Sequence, residues 1–408
     1  MKRTLPKIVC FLTMALLLAT MLCACDNEET VTLNVYNWGQ YISDGSEGTL
    51  DVNGAFEEYY YDTYGVRVKV NYTNYASNED MYAKLRSGAT GYDIVIPSDY
   101  MIQRMINEGM LLPLNFDNIP NYRYIADEMK DLFYDPENRY SVPYTYGMVG
   151  IIYNTTMVDE ADIGSWDLMW NEKYTGKILQ FNNARDAFGT AMYRLGIDVN
   201  TTSEAEWEQA LELLKVQKPL VQGYVMDEIF KKMKGGSAAI SSYYAGDYLT
   251  MYDSNDDLAF YYPEEGTNIF IDAMCIPTSS QHKEIAEAYI NFMLSEEIAI
   301  ANAEYICYAS PNTQVRESEA YRATMEEYHE DAYDILYPDL GALPTSFYRM
   351  LDTETQSLQN RLWEELKIES SVGGSIYVIA TIILVVLVLF FAWRFAVRKY
   401  REWYLKNG

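Results

Sequence analysis

Short apolar runs alternate with amphipathic stretches along the first quarter of the chain. β-branched and aromatic residues predict strands at residues 31–38 ("VTLNVYNW"), 65–72 and 92–97. Apolar residues at helical spacing predict helices at residues 54–64, 77–86 and 101–108, and the second helix opens on the capping-box sequence "SNED". This alternation favours a parallel sheet with helices on both faces, in which ligands bind at the carboxyl ends of the strands. The chain is therefore predicted to have an α/β fold.

The second half of the chain repeats this pattern. The pattern predicts helices at residues 184–195, 204–215 and 283–303, and strands at residues 237–244, 258–263 and 270–277. The body of about 340 residues exceeds one typical domain, so two lobes are predicted. The extended aromatic stretch "NRYSVPYTYGMVGII" at residues 138–152 is where we place the first crossing between them.

The N-terminus has the pattern of a secretion signal. Basic residues precede an apolar run at residues 8–22, which ends in Leu22-Cys23-Ala24-Cys25 and is followed by acidic and polar residues. That ending resembles a bacterial lipobox, which predicts a signal peptide at residues 1–24, lipidation of Cys25 and a short tether at residues 25–30. An uncleaved signal anchor and an ordinary cleavage site are the alternatives.

A second apolar run lies near the C-terminus. Residues 376–393 carry no charge, and at about 1.5 Å per residue these 18 residues cross most of the hydrocarbon of a bilayer. A buried helix of a soluble core would normally keep a polar stripe, so a transmembrane helix is predicted. The basic tail at residues 394–408 is then cytoplasmic and the body extracytoplasmic. The "SVGGS" sequence at residues 371–375 predicts a flexible joint at residues 370–375.

Composition narrows the chemistry. The net charge is −28 although both ends are basic, so the body is strongly acidic, which argues against nucleic acid as a partner. An acidic body favours a cationic ligand, although solubility alone explains the same charge. With two histidines, and with Cys275 and Cys307 as the cysteines of the mature body, no metal site or cofactor is predicted. Whether these two cysteines form a disulfide or remain buried thiols is open.

Polar and aromatic residues cluster just past the predicted strands, where the cleft of an α/β fold is built. They are Trp38, Tyr41, Ser98, Tyr100, Asn183, Asp186, Tyr244, Asp247, Phe270 and Asp272. Two of these carboxylates could serve a glycosidase as acid and nucleophile. Since the sequence supplies no sign of the pKa asymmetry that such chemistry needs, a binding protein is predicted and not an enzyme.

Several of these segments resemble one family, the spermidine/putrescine-binding proteins of polyamine ABC importers. The resemblance covers about residues 31–367, and the segments in order are "NVYNWGQYI", "NYTNYASNEDMYAKL", "YDIVIPSDYMI", "YSVPYTYGMVGIIYN", "SWDLMW", "YTGKILQFNNARDAF", "AGDYL", "FIDAMCIP" and "YASPN". It implies a two-lobed type II periplasmic-binding-protein fold with a hinge. Residues 31–143 and 275–312 would form lobe 1, and residues 144–274 and 313–369 lobe 2.

The resemblance also implies a ligand site. It takes in the residues named above and adds Tyr308. Asp272 would hold one ammonium group and Asp247 or Asp186 another, while Trp38, Tyr244 and Phe270 would line a slot for methylene groups. Relatives of the spermidine type have an acid in place of Asn183 and a tryptophan in place of Tyr244, whereas Ala245-Gly246-Asp247 looks more like the putrescine type and Gln40 replaces an acid of that type. The preferred polyamine is therefore open.

The function implied is the extracytoplasmic substrate-binding component of an ABC transporter. Its partners would be a polyamine, an ABC permease with its ATPase subunits, and the bacterial cytoplasmic membrane, which it would contact through a lipid anchor and a transmembrane helix. The alternative is a membrane-anchored sensory module for an amine ligand.

Overall fold

The computed structural model describes residues 30–88 and 91–407. The predicted signal peptide and Cys25 lie outside the described residues. The strands are β1 (Val31–Trp38), β2 (Val68–Tyr75), β3 (Ile94–Val95), β4 (Ser141–Asn154), β5 (Ile178–Phe181), β6 (Val221–Val225), β7 (Ile240–Tyr244), β8 (Leu258–Tyr261), β9 (Thr267–Cys275) and β10 (Thr345–Phe347).

The helices alternate with these strands. They are α1 (Val52–Tyr64), α2 (Asn78–Arg86), α3 (Asp99–Asn107), α4 (Ala184–Leu195), α5 (Glu204–Gln217), α6 (Glu228–Lys234), α7 (Ala245–Tyr252), α8 (Lys283–Met293), α9 (Glu296–Ile306), α10 (Thr313–Arg316), α11 (Glu319–Tyr328), α12 (Ala332–Leu336) and α13 (Thr353–Asn407).

The strands form one mixed sheet in the order β2-β1-β3-β9-β4-β7-β5-β6, with β10 beside β9 and β8 beside β4. Pairing is parallel within β2-β1-β3 and within β7-β5-β6, and antiparallel where β9 meets β3 and β4. The two long strands β4 and β9 therefore join two α/β halves. Every residue of β9 is buried, as expected for a strand covered on both faces.

The predicted crossing at residues 138–152 lies on β4. One part of β4 pairs with β9 from Ser141 to Met148, and the following part pairs with β7 from Val149 to Tyr153. The register shifts between Pro143 and Thr145, where a proline cannot donate a ladder hydrogen bond. β4 thus passes from one half of the sheet to the other.

The α/β prediction is confirmed, and the predicted elements occur with shifted ends. The helix predicted at residues 283–303 is wrong, because α8 ends at Met293 and α9 begins at Glu296. Ser295 adopts an extended conformation at the N-cap of α9, and two glutamates follow it in the first turn. A serine before acidic residues is a strong helix start, so it separates two helices.

The flexible joint at residues 370–375 stays a prediction. The backbone there is helical and belongs to α13, which runs without interruption from the body to the C-terminal end. Each glycine inside a helix costs only about 1 kcal/mol relative to alanine, and long helix-forming segments on both sides offset this cost.

One part of α13 extends away from the body. Among the described residues, Thr381–Arg401 is the one segment long and apolar enough to cross a membrane, and it overlaps the span predicted at residues 376–393. Its large apolar side chains, among them Leu384 and Phe391, are exposed.

Candidate functional site

A cavity of about 850 Å³, counted out to its mouth, opens between the two halves of the sheet. The last residue of β1 and residues in the first turns of α2, α3, α4 and α7 reach it, and β9 runs along it with alternate side chains. All eleven residues proposed from the sequence line it, namely Trp38, Tyr41, Ser98, Tyr100, Asn183, Asp186, Tyr244, Asp247, Phe270, Asp272 and Tyr308.

Asp272 is the most deeply buried carboxylate of the cavity, with 3% of its surface exposed. Ser98, the N-cap residue of α3, donates its hydroxyl to Oδ1 at 2.6 Å, and the Tyr41 hydroxyl donates to Oδ2 at 2.7 Å. The Tyr41 hydroxyl also lies 2.6 Å from Oγ1 of Thr145. Burial raises the pKa of Asp272 to about 6, against the opposing effect of these two donors. The position suits a carboxylate that receives a cation.

Asp186 forms a second acidic point in the first turn of α4. It accepts hydrogen bonds from the Tyr244 hydroxyl and from Nδ2 of Asn183, both at 2.7 Å. Asn183 is also the N-cap of α4 and accepts from the backbone amide of Asp186. Burial raises the pKa of Asp186, although Arg185 beside it acts in the opposite direction.

Asp247 is the third acidic point, in the first turn of α7. The Tyr308 hydroxyl donates to its Oδ2 at 3.0 Å. Burial raises the pKa of Asp247 to about 7, so the protonated and ionised forms of this side chain have similar populations near neutral pH. Tyr308 fits here because Gly246 leaves room, since a Cβ at Gly246 would meet the tyrosine ring at 2.3 Å.

Aromatic rings line the same cavity. The Phe270 ring packs edge-on against Tyr244 at 5.3 Å between centroids and against Tyr308 at 6.2 Å. Trp38 packs on Tyr75 at 4.6 Å, and its Nε1 donates to the carbonyl of Ile96 at 2.9 Å. The faces of such rings attract cations and their carbon surfaces accept methylene groups.

Several residues of the cavity are not predicted by the sequence pattern. Glu79 accepts from the Tyr100 hydroxyl at 3.0 Å, and burial raises its pKa. Asp227 lies at the mouth and would meet a Cβ at Gly39 at 3.1 Å. Glu79 belongs to the capping-box sequence, a pattern that indicates a helix start and not a binding site. Asp227 follows β6, a strand that the pattern analysis did not detect.

Two further missed residues, Arg185 and Tyr348, lie beside Asp186. The guanidinium of Arg185 is 4% exposed and stacks over the Tyr348 ring at 4.6 Å from its centroid. Burial lowers the pKa of Arg185. Tyr348 reaches the cavity over Gly189, where a Cβ would meet the tyrosine hydroxyl at 2.0 Å. No local pattern in residues 340–350 signals this position.

The arrangement can hold an elongated cation. Five carboxylates and one guanidinium line the cavity, so negative charge is in excess, and aromatic rings line the same cavity. In the described part of the chain, no group of three or more His, Cys, Asp or Glu side chains could hold a metal ion. Cys275 and Cys307 are buried free thiols in the structure.

Comparison with known proteins agrees with this description. A sequence model of the bacterial extracellular solute-binding proteins matches residues 54–327. The spermidine/putrescine-binding periplasmic protein of Salmonella typhimurium is 31% identical over 345 residues, or 84% of this chain and 93% of the relative. The protein of the same name from Escherichia coli is 30% identical over 351 residues, or 86% of this chain and 95% of the relative.

Solved structures are similar as well. A putative spermidine/putrescine ABC transporter from Listeria monocytogenes has a TM-score of 0.73 and 32% identity, and the match covers 83% of this chain and 99% of that one. The spermidine/putrescine ABC transporter substrate-binding protein of Streptococcus pneumoniae has a TM-score of 0.65 at the same identity and coverage. The predicted type II periplasmic-binding-protein fold is confirmed, and the chain belongs to the family of bacterial extracellular solute-binding proteins.

Proposed function

We propose that this protein is the extracytoplasmic substrate-binding component of an ABC importer and that it captures polyamines. The observation that carries the proposal is one cavity lined by both carboxylates and aromatic rings. Asp272, Asp186 and Asp247 have raised pKa values because burial leaves their charge uncompensated. A ligand with ammonium groups at intervals along an apolar chain would compensate them.

The aromatic walls favour an amine with a hydrocarbon spacer over an inorganic cation. Phe270 and Tyr244 pack on each other and line the same cavity as Asp272 and Asp186, and their carbon surface would suit methylene groups. A hydrated metal ion would gain nothing from these rings. The relatives whose names specify spermidine and putrescine support the same ligand class.

Capture would proceed by closure of lobe 1 on lobe 2. Ser98 and Tyr41 belong to the proposed lobe 1, whereas Asp186 and Tyr244 belong to lobe 2, so a bound ligand would contact both. We place the hinge at residues 142–146 and 272–277, where β4 and β9 pair and the register of β4 shifts.

The proposed partners are an ABC permease and, through it, ATPase subunits. The proposed location is the extracytoplasmic face of the bacterial cytoplasmic membrane, with lipidation at Cys25 and Thr381–Arg401 as a membrane span. Lipid would cover the apolar side chains that this segment exposes. The basic residues after position 393 would lie in the cytoplasm.

A thermal unfolding series on the full chain in detergent tests the proposal. Putrescine, spermidine and spermine are compared with butylamine, which has a similar hydrocarbon chain and one ammonium group. A ligand at about 100 times its Kd stabilises the folded state by about 2.7 kcal/mol, so one or more polyamines should raise the unfolding temperature by several degrees and butylamine should not. Equal responses to butylamine and to the polyamines, or no response, would contradict the proposal.

A further inference from the structure

The segment that leads into α13 forms part of the cavity wall. We call residues 346–350 the strap. Tyr348 lines the cavity and is 5% exposed, and its hydroxyl interacts with the carboxylate of Asp186. The strap begins on β10, which pairs in parallel with the first residues of β9, the strand that carries Asp272. Four residues after Tyr348 the chain reaches Asp352, which accepts from the amide of Thr355 and opens α13.

The strap is held on lobe 2 by several contacts. Nη2 of Arg185 donates to the carbonyl of Arg349 at 3.2 Å. Oδ1 of Asn200 accepts from the amide of Arg349 at 2.7 Å, and Nδ2 of Asn200 donates to the carbonyl of Phe347 at 2.8 Å. These contacts fix the backbone of the strap to α4 and to the loop that follows it.

The strap also touches lobe 1. The amide of Met350 donates to Oε1 of Gln103 on α3 at 2.9 Å. The guanidinium of Arg349 stacks over the ring of Phe133 at 3.7 Å from its centroid. Gln103 and Phe133 both belong to the proposed lobe 1, so the strap contacts both proposed lobes.

The first turns of α13 pack on lobe 2. Leu362, Trp363 and Leu366 are buried, with exposed fractions of 1%, 8% and 1%. The Trp363 ring packs edge-on against Tyr224 at 5.8 Å and near Phe188 of α4 at 6.5 Å between centroids. This apolar contact holds the first turns of α13 against lobe 2. Buried apolar contacts of this kind stabilise a packed helix more than exposed ion pairs do.

We propose that lobe 2 and α13 form one rigid body, so that closure of the cavity around a ligand moves lobe 1 relative to the membrane and leaves lobe 2 in place. The inference rests on the proposed polyamine capture and membrane span. α13 is continuous from its contacts with lobe 2 to the exposed apolar segment Thr381–Arg401. A span held in a bilayer would therefore hold lobe 2, whereas lobe 1 is joined to it through the hinge and, when closed, through the strap.

Spin-label distance measurements on the full chain in lipid nanodiscs test this. One label pair joins lobe 2 to the span, at Glu208→Cys and Ile382→Cys, and a second joins lobe 1 to the span, at Glu58→Cys and Ile382→Cys. All three positions are exposed. Burial raises the pKa of the native thiols Cys275 and Cys307, so these thiols resist labelling.

The first pair should give one narrow distance distribution that putrescine and spermidine leave unchanged. The second pair should shift by several ångströms and become narrower when ligand is added. A broad first distribution, or a first distance that changes with ligand, would overturn the rigid connection. An unchanged second distance at saturation would overturn the movement of lobe 1.

Two insertions after Glu369 provide matched controls. Four alanines keep the helix and should move the first distance by about 6 Å without broadening it. Four glycines should broaden it, because they break the helical connection. A narrow distribution with four glycines would show that the helix is not the connection. Calorimetry on the same samples separates the proposed polyamine binding from the rigid connection of lobe 2 to α13. Absence of polyamine binding would overturn the proposed function and the ligand-driven movement, whereas the first distance alone decides the rigid connection.

Discussion

Replacement of Asp272 by asparagine removes one negative charge from the cavity without changing the size of the side chain. If Asp272 holds an ammonium group, the variant leaves that cation desolvated without its counter-charge, which costs about 3–5 kcal/mol. At about 1.4 kcal/mol per factor of ten, affinity for the polyamine should fall roughly 150- to 5,000-fold. Since the pKa of Asp272 is about 6, the ionised form predominates in the wild type at pH 7.

The fold should tolerate this change. The asparagine oxygen can still accept from Ser98, and the new amide can donate to the Tyr41 hydroxyl, which can in turn donate to Thr145. Because burial raises the pKa of Asp272 in the folded state, this group favours folding below about pH 4 and loses that contribution as pH rises through 6. The variant lacks this loss, so its unfolding temperature at pH 7 should equal or exceed that of the wild type.

Isothermal titration of the wild type and of Asp272→Asn with putrescine and spermidine at pH 7 measures the effect. Asp62→Asn is the matched control, since Asp62 is exposed on α1 and loses the same charge away from the cavity. Near wild-type affinity in a folded Asp272→Asn protein would refute the assignment of Asp272 as an ammonium site. An equal loss in Asp62→Asn would mean that net charge, and not position, controls binding.

Three further predictions follow from the structure. Polyamine affinity should fall as pH drops from 8 to 6, because the pKa of Asp247 is about 7 and that of Asp272 about 6, and a bound cation favours the ionised forms. Calorimetric titrations in buffers of different ionisation enthalpy should detect protons released on binding, and no release would argue against a role of these acids. Gly246→Ala should lower the free energy of unfolding in a denaturant titration by about 1–3 kcal/mol and weaken polyamine binding, because the new Cβ meets the Tyr308 ring. Gly223→Ala is the control, since a Cβ there meets no atom within 4 Å, and it should change neither stability nor binding. A Cys25→Ala variant should still fractionate with membranes after carbonate extraction, and its release into the medium would contradict a membrane span in α13.

Residues past strand ends can be predicted from the sequence, because the local pattern locates the strands and ligands of α/β folds bind at the carboxyl ends of strands. Trp38 closes β1 as this rule expects, whereas Phe270 and Asp272 lie within β9 and not past its end, although they line the same cavity. The resemblance to a family then selected the same residues independently. The residues expected from the sequence line the cavity of the structure wherever the strand beside them was long enough to be recognised.

The missed residues depend on contacts between distant parts of the chain. Tyr348 enters the cavity because β10 pairs with β9, and Gly189 leaves space for its hydroxyl. Neither contact has a local signature. Residues 370–375 lie on α13 although their two glycines have low helix propensity, because the flanking segments continue the helix through them.

The most direct test of the account is the crystal structure of the soluble body with a bound polyamine. The account predicts one ammonium nitrogen within about 3 Å of an Asp272 oxygen, a second beside Asp186 or Asp247, and methylene groups against Phe270 and Tyr244. A polyamine bound outside this cavity, or bound within it with no amine facing Asp272, would contradict the account.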